Sequence, residues 1–288
     1  MIRSMTAFAR AEADTDLGAL AWELRSVNHR YLEVSLRLPE ELRGLEPAVR
    51  ERVGRSLGRG KVDCSLRYRP AADTNAPLQL DPEVVERVGR ACAEIGVQLG
   101  QIAPLNPLEL LRWPGVQRDT ERDLTPLAET AGGLLDQALE ELRATREREG
   151  AQIHELLTSR CATMEELVAA ERARLPQVRA RLRDKLGARL AELQAQVDQD
   201  RLEQELVFLA QKMDVDEELD RLEGHIAEVR RVLERPEPVG RRLDFLMQEF
   251  NREANTLGSK SADTDTTRTA VELKVLIEQM REQVQNVE

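Results

Sequence analysis

Aromatic side chains make up only 3% of this 288-residue chain, a low share for a soluble globular protein. Cysteine is scarcer still: Cys64, Cys92 and Cys161 are far apart and odd in number. That pattern argues against a disulfide framework or a cysteine-based zinc site and implies a reduced, cytoplasmic setting. No apolar run approaches the roughly 20 residues needed to cross a bilayer. The opening "MIRSMTAFAR" has neither an apolar h-region nor a small-residue cleavage site, so no export and no membrane partner are expected. Positive charge is also in deficit, with a formal net charge of -11.

What is present is 41% hydrophobic and 33% charged residues, in a chain long enough to bury a core in one large domain or two. Charge is unevenly spread. Residues 1–70 hold 13 Lys and Arg against 10 Asp and Glu, so the acidic excess belongs to the remainder. A locally basic surface on an acidic protein still suits phosphates.

Residues 1–70 read mainly as strands. In 19–27, Leu20, Trp22 and Leu24 alternate with Ala21, Glu23 and Arg25. In 31–38, Leu32, Val34, Leu36 and Leu38 alternate with Tyr31, Glu33, Ser35 and Arg37. A helix over 41–57 and the turn "GRGK" precede a third strand, where Val62, Cys64, Leu66 and Tyr68 alternate with Lys61, Asp63, Ser65, Arg67 and Arg69. In one sheet, the polar face would gather Arg25, Arg37, Lys61, Arg67 and Arg69. That is either a phosphate-facing surface or an ordinary solvated face. Between the first two strands lies "RSVNHRYLE", with Asn28, His29 and Arg30 where a hairpin normally uses Gly, Asp or Ser.

The linker "RPAADTNAPLQLDP" ends this unit. Beyond it the pattern is helical: 82–99, a short helix in "NPLELLRWPG", and long runs over roughly 123–170 and 174–234, interrupted near Pro176. No strict heptad persists, so a simple coiled coil is not expected. His154 reads as structural. The expected fold class is α+β, a small antiparallel or mixed N-terminal sheet with a helix, followed by a long, mainly α-helical region. The expected units are an N-terminal α+β domain at 1–70, a helical middle region at 71–200 and a C-terminal helical domain at 201–288.

Two helices in the last third carry chemistry. One has the apolar stripe Val215, Leu219, Leu222, Ile226, Val229 and Leu233, with Asp214, Glu218, Arg221 and His225 beside it. Glu218 and His225 are two turns apart, roughly 10 Å at 1.5 Å per residue. Both cannot bind one ion directly. The other has the stripe Leu243, Leu246, Met247, Phe250 and Ala254, with Arg242, Glu249, Arg252 and Glu253 on a second face. Glu249 and Glu253, one turn apart, either share a hard divalent cation or pair with neighbouring arginines. The turn "LGSKS" offers backbone amides and Lys260 to a phosphate.

The segments "MIRSMTAFAR", "WELRSVNHRYLEVSLRLPE", "GRGKVDCSLR", "LRWPGV", "REREG", "DVDEELDRLEGH" and "GRRLDFLMQEFNREANTLGSKSAD", through "VELKVLIEQMREQVQNVE", resemble the YicC/YloC family of bacterial proteins, in order and from end to end. One departure is Ala7 and Ala9, where the family pattern "MTGFGR" has glycine. The resemblance implies a divalent-metal-dependent endoribonuclease, using Mg²⁺ or Mn²⁺, that acts on RNA in the cytoplasm as a homo-oligomer, a hexamer. On that basis His225, Glu249 and Glu253 are the catalytic candidates, with Glu218, Glu249 and Glu253 the metal ligands. RNA contacts fall to Arg25, Asn28, His29, Arg30, Arg37, Lys61, Arg67, Arg242, Arg252 and Lys260. His29 either acts as a general base on a 2′-hydroxyl or only holds RNA while carboxylates and metal do the chemistry. The alternative of another class is a non-catalytic RNA-binding adaptor that presents RNA to a separate ribonuclease.

Overall fold

The structure, a computed structural model, describes residues 2–71, 79–100, 106–117, 123–192, 204, 214–261 and 263–288. Half of the "RPAADTNAPLQLDP" linker, and the stretch 193–213 apart from residue 204, lie outside them. Four strands build one sheet in the order β1-β2-β4-β3: β1 (Ala7–Thr15), β2 (Gly18–Val27), β3 (Leu32–Arg37) and β4 (Gly60–Pro70). β1 pairs antiparallel with β2, β2 antiparallel with β4, and β3 parallel with β4. A parallel pair needs a crossover. It is supplied by a 3-10 turn (Glu40–Leu45) and α1 (Glu46–Ser56), whose Val49 and Val53 are buried.

The three strands expected from alternation are present, and a fourth, β1, precedes them. Its inward positions are Ala7, Ala9 and Ala11, all buried. The pattern escaped notice because its small alanines carry little of the apolar contrast that marks an amphipathic strand. The methyls of Ala7 and Ala9 therefore point into the core.

Residues 82–99 form α2 (Pro82–Leu99) and the short helix is α3 (Pro107–Leu111). α4 (Thr125–Glu192) is 68 residues long, about 100 Å at 1.5 Å per residue, and it contains Pro176. The expected break there does not occur. Pro176 is exposed, so its ring does not disturb the packed side of the helix, and the helix runs on through it with one main-chain hydrogen bond fewer.

Two cores share α4. Leu127, Ala131, Leu135, Ala138 and Leu142 cover the sheet, closing over Leu20, Trp22, Leu24, Val62 and Leu66. The Trp22 indole N–H donates to the Ala131 carbonyl at 2.9 Å. Further along, Leu157, Cys161, Met164 and Val168 pack with α5 (Asp216–Leu233), α6 (Gly240–Lys260) and α7 (Thr264–Val284). The apolar stripes expected on α5 and α6 are all buried.

The chain's two ends close together against α4. Ser4 bridges Val287, and the Met5 amide donates to the Asn286 carbonyl at 2.7 Å. Arg146, only 1% exposed, donates to the carbonyls of Ser4 (2.6 Å) and Arg59 (3.3 Å) and to Glu288 Oε2 (2.9 Å). A side chain on Gly150 would stand 2.1 Å from the Ile2 carbonyl oxygen, and one on Gly240 2.2 Å from that of Val287. The "REREG" segment is thus an attachment point for residues 2–5 and, through Glu288, for the other end of the chain.

Candidate nucleic-acid interface

Strand register arranges the outward side chains of the sheet in transverse rows, because alternate residues share a face and paired residues lie side by side. Phe8 pairs with Arg25, Arg25 with Asp63, and Ser35 with Asp63, giving one row across all four strands. The next row is Arg10, Glu23, Ser65 and Arg37 by the same pairings. On the other side comes the row Val27, Lys61 and Glu33. Neighbouring rows are two residues apart, about 7 Å along the strands.

The first row, the second apart from Arg10, and Val27 line an open groove of about 760 Å³, bounded by Phe8, Glu23, Arg25, Ser35, Arg37, Asp63 and, from α4, Glu149. A second groove of about 750 Å³ adjoins it at Arg37 and includes Arg10, Arg67 and Arg69. Arg25, Arg37, Lys61, Arg67 and Arg69 do share one face. It is mixed in charge, however, since Glu12, Glu23, Glu33 and Asp63 stand among them. Arg10 pairs with Glu12 and Glu23, Arg67 with Glu23 at 3.2 Å, and Lys61 with Glu33 at 3.7 Å. Among the described residues, Arg25 and Arg37 have no ion pair or side-chain hydrogen bond and are exposed. Two unpaired guanidiniums over one groove are forked donors suited to phosphate oxygens.

The "RSVNHRYLE" loop sits at the edge of this face. His29 Nδ1 lies 3.1 Å from the Tyr31 carbonyl oxygen, and its Nε2 lies 3.6 Å from Glu33 Oε2. The Tyr31 amide also lies within reach of Nδ1, at 3.4 Å, so Nδ1 donates to the carbonyl in one tautomer, which leaves Nε2 as the acceptor, and accepts from the amide in the other, which turns an Nε2–H toward Glu33. The Asn28 side chain is differently engaged. Its amide donates to the Gln285 carbonyl at 2.6 Å, tying the loop to the end of α7. Arg30 lies over the Tyr31 ring at 5.2 Å.

The α5–α6 candidates occupy the other core. Glu218, 5% exposed, accepts from Lys260 Nζ at 2.8 Å, which also donates to the Asp214 carbonyl. Glu253, 6% exposed, faces Arg221 at 3.4 Å, and Glu249 accepts from Arg252 at 2.5 Å. Arg221 is held further toward its charged form by its bond to Glu253 and by Glu217. His225 meets Phe250 edge to face, with ring centroids 5.8 Å apart. Arg242 lies over Phe245 at 5.7 Å and pairs with Glu228. His154 lies 3.4 Å from Glu234.

Lys260 is the last residue of α6, where the backbone presents carbonyls rather than free amides. The expected phosphate cradle at "LGSKS" is therefore absent. Metal binding fares no better within one chain. Glu218 Oε2 is buried without a hydrogen-bond partner, which would suit a cation. Yet each carboxylate already has a cationic side chain beside it, and among the described residues no three His, Cys, Asp or Glu side chains gather closely enough to hold an ion. Glu218, Glu249 and Glu253 of a single chain thus do not fit a metal site by themselves.

The structure therefore puts Arg25, Arg37, Lys61 and Arg67 on one sheet face, with His29 at its Lys61–Glu33 end, and places His225, Glu218, Glu249, Glu253, Arg242, Arg252 and Lys260 in a separate helical unit. Phe8, on the groove's lip, was missed by sequence reasoning. The available signal was a large ring on the polar side of a strand whose inner side is alanine. No helix among the described residues is long and apolar enough to cross a membrane.

Comparison with known proteins bears on both units. Residues 2–155 match the family model "Endoribonuclease YicC-like, N-terminal region" and residues 169–288 match "Endoribonuclease YicC-like, C-terminal". A protein of Haemophilus influenzae named probable endoribonuclease YicC is 45% identical over 288 residues, covering all of both chains. One of the same name from Clostridioides difficile is 31% identical over 293 residues, again covering both in full.

Proposed function

The chain belongs to the YicC-like endoribonuclease family, and from that membership we propose that it cleaves RNA internally, on the polar face of its four-stranded sheet. The observation that carries the placement is the pair Arg25 and Arg37, exposed over one groove and without a partner among the described residues, with His29 beside Glu33 of the adjoining row. Arg25 and Arg37 bind phosphate oxygens and stabilise the charge that grows there as the phosphodiester is attacked. His29 Nε2 takes the proton of a 2′-hydroxyl as its oxygen bonds to phosphorus and the 5′-oxygen leaves. The products are a 2′,3′-cyclic phosphate and a 5′-hydroxyl. Glu33 stabilises the imidazolium, which returns the proton to the leaving oxygen.

Dependence on Mg²⁺ or Mn²⁺ and assembly into a homo-oligomer, a hexamer, belong to the same proposal and rest on the resemblance alone. Because the described carboxylates of one chain do not gather at one point, the ion's ligands would come chiefly from RNA phosphates. No step is assigned to it.

The test is cleavage of a defined, end-labelled RNA by purified protein with Mg²⁺, with Mn²⁺ and with EDTA, alongside His29→Ala and Glu33→Gln. Cleavage that falls by about 10²–10⁴-fold in His29→Ala supports the role of His29. Wild-type protein that binds RNA but never cuts it under any divalent cation would instead establish the adaptor reading.

A further inference from the structure

Phe8 is 55% exposed on a sheet face whose other side chains, Val27 and two alanines aside, are charged or small and polar. Its neighbours Ala7 and Ala9 are buried beneath α4, so β1 turns its least bulky side chains inward and its one aromatic ring outward. A single exposed apolar residue is ordinary on a protein surface. Here the ring forms the lip of the 760 Å³ groove, opens the transverse row Phe8, Arg25, Asp63 and Ser35, and stands one strand from an unpaired guanidinium.

We infer that the groove takes single-stranded RNA, with one unpaired base stacked on Phe8 and the adjoining phosphates held by Arg25 and Arg37. The inference rests on the proposed endoribonuclease reading and names its substrate class. Strands are about 4.8 Å apart, so Arg25 and then Asp63 lie within one nucleotide's reach of the ring. A flat sheet carrying an aromatic platform beside forked cations offers a base its π-face and the backbone its counter-charges at once. In a duplex the bases are stacked on one another and present only their edges, so Phe8 finds no face to meet. Beyond the ring, Asp63 has no ion pair or side-chain hydrogen bond among the described residues, and with Ser35 and Ser65 it supplies partners for the edge of the stacked base. Asp63 favours a base that presents amino or imino hydrogens over one that presents only acceptors.

The experiment compares full-length wild type with Phe8→Leu and Phe8→Trp. Each is titrated against a fluorescein-labelled single strand of about 12 nucleotides and against the same strand annealed to its complement, at one salt concentration. A second single strand carries 2-aminopurine, whose fluorescence is quenched on stacking. Phe8→Leu keeps apolarity and removes the π-face. Its affinity for the single strand is expected to fall about tenfold and the quenching to disappear, while duplex binding changes by less than about twofold. Phe8→Trp is expected to bind the single strand at least as well as wild type. Equal single-strand binding by wild type and Phe8→Leu overturns the stacking role. So does a change of oligomeric state in Phe8→Leu, read by sedimentation, because it would mean that another subunit covers the ring. If wild type binds neither RNA, the endoribonuclease reading itself fails, an outcome distinct from both.

Discussion

Replacing Arg146 by Met should unfasten the two ends of the chain from α4. The guanidinium is almost fully buried and donates to Ser4 O, Arg59 O and Glu288 Oε2. Burial pushes its pKa down and the Glu288 carboxylate pushes it back up. Methionine fills much of the same volume, so the loss is electrostatic and not a cavity. Two main-chain carbonyls lose a donor, each worth about 1–3 kcal/mol when left unsatisfied. Glu288, whose side chain is 16% exposed, loses its partner, and breaking a buried pair from one side costs about 3–5 kcal/mol. These terms overlap, and partial access of water to Glu288 reduces the second, so the expected loss is about 3–4 kcal/mol in guanidinium denaturation at neutral pH. Removing the stranded charge as well, in Arg146→Met/Glu288→Gln, should recover about 1 kcal/mol or more. Amide exchange should quicken at Ser4 and Met5, whose N–H groups donate to Arg146 and Asn286. A loss under about 1 kcal/mol, or a double variant no more stable than the single, would refute this account of the latch.

Gly150→Ala sets a methyl against the Ile2 carbonyl, so residues 2–3 must shift. The expected result is a loss of about 1–3 kcal/mol by thermal melt, and an unchanged melt would mean that the N-terminal segment does not lie there. Burial, aided by the charge of Asp63, pushes the Cys64 thiol up to about 12. Its contribution is complete below the ordinary thiol value of 9.0 and is lost as pH rises from there toward 12, by up to about 1.4 kcal/mol per pH unit. Urea midpoints should therefore fall less steeply over that window in Cys64→Ala, and equal slopes would contradict it. In Glu249→Gln/Glu253→Gln, cleavage is expected to stay within about threefold of wild type, because these carboxylates sit beside arginines in the helical unit and not at the groove. Loss of cleavage with RNA binding intact would move the chemistry to α5 and α6.

The parts of the fold that the sequence disclosed were those with strong apolar contrast. Leu20, Trp22 and Leu24 on β2, and Val62, Cys64 and Leu66 on β4, alternate clearly, and the stripes of α5 and α6 repeat at helical spacing. β1 was less legible because alanine is nearly neutral in such a contrast. Pro176 misled because a proline's effect depends on whether its ring meets the packed side of the helix, which only burial reveals. The site divides the same way. Alternation was enough to put Arg25, Arg37, Lys61 and Arg67 on one face, but not to show that Glu23 and Glu33 engage Arg67 and Lys61 while Arg25 and Arg37 find no partner among the described residues. On α5 and α6, spacing placed carboxylates on neighbouring turns. Their arginine and lysine partners come partly from the facing helix, as Arg221 does for Glu253 and Lys260 for Glu218, and cross-helix pairing has no local signature. Phe8 was hidden by its position on a strand that had not been recognised.

The claim that RNA is bound and cut on the polar sheet face is tested most directly with Arg25→Gln/Arg37→Gln. Both side chains are exposed and have no partner among the described residues, so the variant should melt like wild type. Measured on one single-stranded RNA, its cleavage should drop at least tenfold, a loss of about 1.4 kcal/mol or more. The slope of log affinity against log salt should shrink by about 0.7 for each lost phosphate contact. Wild-type cleavage with an unchanged salt slope would place the RNA elsewhere on the molecule.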